Sequence, residues 1–213
     1  MIAVVDYGLG NLKSVAKALL AQGAEVKVTS AGSYLKDAKA IVLPGVGAFK
    51  QGIENLKRLG LLEVLIKEIE KGKPFLGICL GLQLLFTESE EHSLSNGMDV
   101  IKGRVVKFNK SGVKIPHMGW NQIVIKEPLT GSRGTKAGKE SIFTDIPDNS
   151  YFYFVHSYYV VPQVKDIISA VTFYGEEFTS AVIKDNVIGL QFHPEKSGDL
   201  GLKILRNFLE LIK

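Results

Sequence analysis

The sequence predicts an α/β fold, a mostly parallel mixed sheet with helices on both faces. Three observations lead there. Short β-branched runs alternate with 3.6-period apolar stretches through the first half of the chain. Strands separated by helices imply βαβ units, whose crossovers put helices on both sides of a parallel sheet. The second half has strand-like runs without long helices between them, so hairpins and some antiparallel pairing are expected there.

Taken in order, Ile2–Val5 reads as a buried strand, and Leu12, Val15, Ala16, Leu19 and Leu20 form the apolar face of the helix that follows. Residues 25–29 and 39–43 are the next strands. Leu56, Leu59, Leu62, Leu65, Ile66 and Ile69 mark helical material with a break near Gly60. Residues 74–78 form a short apolar strand that runs directly into 80–86, which has the spacing of a buried helix. Beyond this point the strand candidates are 100–108, 119–125, 151–161, 167–174, 178–183 and 187–192. Residues 116–119 read as a structured turn and 128–140, rich in Gly, Lys and Thr, as an exposed loop. Leu202, Leu205, Leu209 and Ile212 return the C-terminus to helix. There is no repeat, low-complexity tract or long linker, so one domain spanning 1–213 is expected.

Composition narrows the function classes. Apolar residues make up 46% and charged residues 23% of 213, ordinary globular usage that excludes a disordered chain. Lys and Arg number 26 against 22 Asp and Glu, a formal +4. That excess is small and dispersed, with no arginine block, so nucleic acid is not expected as a partner. No apolar run reaches the ~18 residues of a membrane span, and the first residues lack a secretory leader. With one cysteine, Cys79, no internal disulfide can form. A cytoplasmic protein is the expectation. One cysteine and four scattered histidines give no metal-ligand cluster.

The sharpest local feature is Gly77-Ile78-Cys79-Leu80-Gly81, at a strand-to-helix transition. A nucleophile there sits on a tight, strained turn, and the flanking glycines remove side chains that would collide around it. The N–H groups opening the next helix favour a thiolate. The competing reading is a small buried hydrophobe in an apolar strand. A thiolate needs a base to manage its proton and a third group to fix that base's tautomer. Gln191-Phe192-His193-Pro194-Glu195-Lys196 offers both, with His193 facing Cys79 and Glu195 returning to the far ring nitrogen. Donors for an oxyanion would be the Leu80 N–H and the backbone of Pro44-Gly45-Val46-Gly47; that segment also reads as a plain strand-to-helix turn. Neither it nor Gly8-Leu9-Gly10 completes a dinucleotide or Walker motif, so no phosphate cofactor is expected.

At these residues the chain resembles the class I glutamine amidotransferases. Gly77-Ile78-Cys79-Leu80-Gly81-Leu82-Gln83 is similar to their nucleophile motif, and His193-Pro194-Glu195 to the other two members of their triad. Asp6-Tyr7-Gly8-Leu9-Gly10-Asn11, the Pro44 segment, Pro116-His117-Met118-Gly119-Trp120-Asn121 and Tyr153-Phe154-Val155-His156-Ser157-Tyr158 extend the resemblance over essentially the whole chain, toward the glutaminase subunits of imidazole glycerol phosphate synthase.

The resemblance implies a three-layer flavodoxin-like fold and hydrolysis of L-glutamine through a Cys79 thioester, with no cofactor. His193 would be the base, Glu195 its orienting group, and Val46, Gly47 and Leu80 the backbone donors. Gln83, Glu91, Ser157 and Tyr158 would hold the substrate, although Gln83 and Glu91 also read as surface helix residues. His117 is expected to be a structural turn residue. The ammonia would pass to a (β/α)8 barrel synthase docked on Asn11, Trp120, Tyr153 and Lys196. For Trp120 a core position stands as the alternative, and for Lys196 a solvated lysine. Another amidotransferase subunit, such as that of anthranilate synthase, a related cysteine hydrolase or peptidase, and a silent binding subunit are the rival readings.

Overall fold

The computed structural model describes residues 1–126 and 141–212; the predicted 128–140 loop lies outside them. The first half alternates strand and helix: β1 (Ile2–Val5), α1 (Leu12–Ala21), β2 (Val26–Thr29), α2 (Gly32–Asp37), β3 (Ala40–Gly45), α3 (Phe49–Arg58), α4 (Leu62–Glu70), β4 (Phe75–Cys79) and α5 (Leu80–Leu84). The second half is strand-rich: β5 (Phe86–Ser89), β6 (Ser95–Asn96), β7 (Ile101–Lys107), β8 (His117–Gln122), β9 (Val124–Ile125), β10 (Tyr151–His156), β11 (Tyr158–Pro162), β12 (Ile168–Phe173), β13 (Glu177–Lys184) and β14 (Val187–Leu190), closed by α6 (Gly198–Leu211).

Among the described residues the main sheet runs β2-β1-β3-β4-β14-β13-β11-β7-β5-β6, with β12 and β9 attached beside β13. From β2 to β14 every pair is parallel. From β14 through β13 and β11 to β7 the pairs are antiparallel. The alternation of side chains along each strand makes this a three-layer structure. Ile2 and Val4 point to the face covered by α1 and α6, where Val15, Leu19, Ile204, Leu205 and Phe208 bury. Ala3 and Val5 point to the opposite face, under Leu35, Phe49, Ile53, Leu56, Leu65 and Leu80 of α2 to α5.

The break expected near Gly60 separates α3 from α4, and the φ of 64° there suits a residue without a Cβ. Other sequence expectations need correction. The helix expected over 80–86 stops at Leu84, because Phe86 enters β5 and pairs with β7. Residues 151–161 are two strands in two different sheets: among the described residues β10 pairs only with β8, while β11 joins the main sheet. The turn expected at 116–119 is largely strand, since β8 begins at His117 opposite His156. Residues 119–125 break at Ile123 into β8 and β9. Helix α2 is too short for its period to stand out, with Leu35 its one buried residue.

The small β8–β10 sheet places the docking candidates. His117, Phe152, Phe154 and His156 are buried on its inner side, while Met118 and Trp120 are 62% and 55% exposed on the other. Phe152, Phe154 and Phe178 join the α1/α6 core, so the hairpin is anchored by its inner face and open on its outer one.

Candidate active site

Strand β4 delivers Cys79 and α5 departs from it without a loop. Cys79 carries the bend, with φ 54° and ψ −108°. A left-handed φ on a residue with a Cβ costs roughly 1–3 kcal/mol and persists only where the surroundings hold it. The surroundings do so through two glycines. A Cβ on Gly77 would lie 2.8 Å from the Gly81 carbonyl group, and one on Gly81 would run into the Leu43 carbonyl oxygen of β3. Neither neighbour is a flexible side chain that could move aside.

The parallel sheet brings the other end of the chain alongside. Strand β14 lies next to β4, with Leu190 opposite Ile78. The chain then passes Gln191 and Phe192 to His193 and a 3-10 turn at Pro194–Lys196. That turn folds Glu195 back, and its Oε1 lies 2.9 Å from His193 Nδ1. Both side chains are buried, at 2% and 1% exposure. A carboxylate facing Nδ1 fixes the proton there and turns Nε2 outward as the working nitrogen. Nε2 is buried and makes no hydrogen bond. The Cys79 sulfur is near enough to act on the ring: burial pushes the imidazolium down, but interactions with Cys79 and Glu195 outweigh it and raise His193 to about 10.

In front of Cys79 opens a cleft of about 740 Å³. Val46, Gly47, Leu80, Gln83, Glu91, Ser157, Tyr158 and Lys196 all line it with Cys79, so the predicted backbone donors and substrate residues share one space. Gly47 has φ 112°, which leaves the 45–47 backbone in a shape that favours glycine.

Gln83 is buried rather than a surface helix residue. Its Nε2 donates to the Tyr158 carbonyl at 2.9 Å and to Gln191 Oε1 at 3.2 Å. Glu91 accepts the Phe49 N–H at 2.5 Å, tying the start of α3 to the cleft wall. One of its oxygens is therefore engaged by the fold.

The four docking candidates divide. Trp120 is exposed, which removes the core alternative for it. Tyr153 stands opposite Trp120 in the β8–β10 register, their ring centroids 6.3 Å apart. Lys196 is exposed and holds its ammonium 5.7 Å from the Tyr153 ring, a cation–π distance. These three form one patch on the cleft's edge. Asn11 precedes α1, its carbonyl accepting the Val15 N–H at 3.2 Å. His117 is not a turn residue but a buried strand residue paired with His156.

Sequence reasoning passed over Gln191. It is fully buried, and its Nε2 lies 3.6 Å from the Cys79 sulfur while its Oε1 accepts from Gln83. A polar side chain two positions before His193, at the end of an apolar strand, was its one mark in the sequence. Lys107, which also lines the cleft, left none. Among the described residues no group of three or more His, Cys, Asp or Glu side chains could hold a metal ion.

The profile of the family described as "Glutamine amidotransferase class-I" matches residues 3–212. The chain is 51% identical to the imidazole glycerol phosphate synthase subunit HisH of Caldanaerobacter subterraneus subsp. tengcongensis, over all of this chain and 99% of that protein. It is 49% identical to the subunit of the same name from Methanothermobacter thermautotrophicus, over the full length of both. A crystal structure of a glutamine amidotransferase superposes with a TM-score of 0.71 at 20% identity, covering all of this chain and 99% of the other. PurLQS from Thermotoga maritima superposes at 0.69 with 23% identity, covering all of this chain and 98% of the other; both likenesses are of fold. A Cys, His and Glu gathered at parallel strand ends and a full-length match at half identity meet in one conclusion: the chain belongs to the class-I glutamine amidotransferase family, among the HisH subunits.

Proposed function

We propose that the chain is the glutaminase of an imidazole glycerol phosphate synthase, hydrolysing L-glutamine to glutamate and ammonia and handing the ammonia to a (β/α)8 barrel synthase for histidine biosynthesis. The single observation that carries the chemistry is Cys79 on a strained elbow beside a buried His193–Glu195 pair, at the floor of a cleft open to a small amide. No helix among the described residues is long and apolar enough to cross a membrane, and a cytoplasmic site of action is part of this reading.

Ionised Cys79 attacks the glutamine carboxamide carbon. The oxygen that becomes negative is met by the Leu80 N–H and, once docking has turned them, by N–H groups of Val46 and Gly47. His193 Nε2–H gives its proton to the departing ammonia, leaving a γ-glutamyl thioester. The now neutral imidazole takes a proton from water, hydroxide adds to the thioester, and glutamate leaves as the thiolate returns. Glu195 keeps the second proton on Nδ1 throughout. Gln83, Glu91, Ser157 and Tyr158 form the wall that orients the substrate. The Trp120, Tyr153 and Lys196 patch, on the same edge, is where the barrel docks, so that ammonia need not cross bulk water.

The test is glutamate release with glutamine alone, with the barrel partner, and with partner plus its nucleotide. The expected order is slow, faster, fastest, because a 45–47 backbone of this kind can hold its N–H groups away from the oxyanion until docking turns them. Equal rates across the three would remove the gating. Hydrolysis of peptides or esters in place of glutamine would favour the cysteine-hydrolase reading instead.

A further inference from the structure

At the cleft wall two of the three histidines outside the triad, His117 and His156, close a hydrogen-bond chain whose protons can be counted. Asn121 Nδ2 lies 3.0 Å from the Phe173 carbonyl and 3.2 Å from His117 Nε2. His117 Nδ1 lies 3.0 Å from His156 Nε2. His156 Nδ1 lies 2.8 Å from the Tyr158 carbonyl. Both ends are backbone carbonyls, which only accept. The Asn121 amide must therefore donate to Phe173, and it is oriented so by the Gln122 N–H on its Oδ1 at 2.8 Å. Its second hydrogen goes to His117 Nε2, so His117 carries its proton on Nδ1 and gives it to His156 Nε2. His156 in turn donates from Nδ1 to Tyr158. Four junctions hold four protons, with both histidines neutral and every direction fixed. Protonating either ring would set two donors against each other.

The chain does not stop at Tyr158. The same carbonyl accepts from Gln83, Gln83 donates to Gln191, and Gln191 Nε2 reaches the Cys79 sulfur. We propose that Asn121, His117 and His156 are positioning residues for glutamine hydrolysis: they fix the Tyr158 carbonyl, and through Gln83 and Gln191 they fix the sulfur that attacks. This rests on the glutaminase reading and adds residues to it. Packing agrees with a fixed geometry, because the His117 ring is stacked between Phe154 and Tyr174 at centroid distances of 4.9 and 4.0 Å. Burial keeps both rings neutral, lowering His117 to about 4 and His156 to about 3.

A merely structural His117 makes the opposite prediction to a relay. Gln is closer to His in volume than Asn is, so packing alone ranks His117→Gln above His117→Asn. The relay ranks Asn above Gln, since an amide nitrogen at the δ position can still donate to His156 and one at the ε position cannot. The experiment measures glutamate release by the complex with the barrel partner, together with the melting temperature of each variant. The expected results are a kcat lowered about tenfold in His117→Phe, the scale of one lost hydrogen bond, most of that loss regained in His117→Asn, and little regained in His117→Gln. Asn121→Leu, at a half-buried site, should lower kcat severalfold and serves if His117→Phe does not fold. Wild-type rates in both His117→Phe and Asn121→Leu, or Gln restoring as well as Asn, would overturn the relay. A wild-type complex that releases no glutamate would instead overturn the glutaminase reading.

Discussion

Two pairs of side chains built around histidine lie on either side of the cleft, and they are tuned in opposite directions. On the parallel half, His193 sits against the Cys79 sulfur and the Glu195 carboxylate, which together raise it to about 10. On the β8–β10 half, His117 and His156 face each other, with the Asn121 amide and the Tyr158 carbonyl as their other partners and no anion among them within the described residues, and burial lowers them to about 4 and 3. On the proposed mechanism the same ring is thus a proton carrier in one half and a fixed neutral strut in the other. The difference follows from topology. Parallel strand ends gather chain-distant reactive groups at one edge, whereas an antiparallel pair sets residues of two strands directly opposite each other.

The largest expected effect removes the parallel half's chemistry. Cys79→Ala should reduce glutamine hydrolysis to background while partner affinity and melting temperature stay near those of the parent, because a small residue at this elbow leaves little cavity. Activity above a trace would break the assignment. His193→Ala should cost about 10²–10⁴ in kcat, and Glu195→Gln less, since the imidazole moves protons in both half-reactions and the carboxylate only orients it. A larger loss for Glu195→Gln than for His193→Ala would reverse the roles.

The hairpin half should answer to binding rather than to chemistry. Trp120→Ala should weaken the partner by about 2 kcal/mol or more, the scale of an interface anchor, with little change in the isolated chain's melting temperature because the ring is already exposed. A lowered melting temperature with unchanged affinity, read by calorimetry and thermal melts, would contradict this. Lys196→Ala should raise the dissociation constant more modestly, as it loses one exposed cation–π contact.

How much of each half was legible follows the same division. Strands β1, β3 and β4 of the parallel half are buried on both faces and read as short apolar runs, so they stood out, and Gly77 and Gly81 announced the elbow by leaving room on both sides of Cys79. The hairpin half depends on register. His117 reads as a turn residue until β10 is known to pair with β8, and Trp120 points outward only because His117 points inward. Gln191 left only its polarity at the end of an apolar run, because its partners, Cys79 and Gln83, are 112 and 108 residues away. Glu91 reads as part of an acidic helix end, and only the fold shows it holding the Phe49 N–H.

The smallest expected effects are in pH dependence, and the two halves should fail at opposite ends. An imidazole raised on folding binds its proton more tightly in the native state. The His193 contribution to stability is therefore full below about 6.5 and is lost as pH climbs to about 10. Cys79→Ala removes the strongest raising influence, so its stability should fall less steeply across that window. For His117 and His156 the sign is reversed: their contribution is full above about 6.5 and is lost as pH falls toward about 4 and 3. Denaturant melts of parent and Cys79→Ala at stepped pH check both slopes, and identical alkaline slopes would detach His193 from the sulfur.

The central claim is that a sulfur at the end of β4 takes the glutamyl group. Acid quenching of the wild-type complex while it turns over isotope-labelled glutamine, followed by digestion and mass analysis, tests it most directly. The expected result is label on the peptide containing Cys79 and on no other. Steady glutamate release with Cys79 unlabelled at every quench time, or label carried by a different residue, would contradict the account.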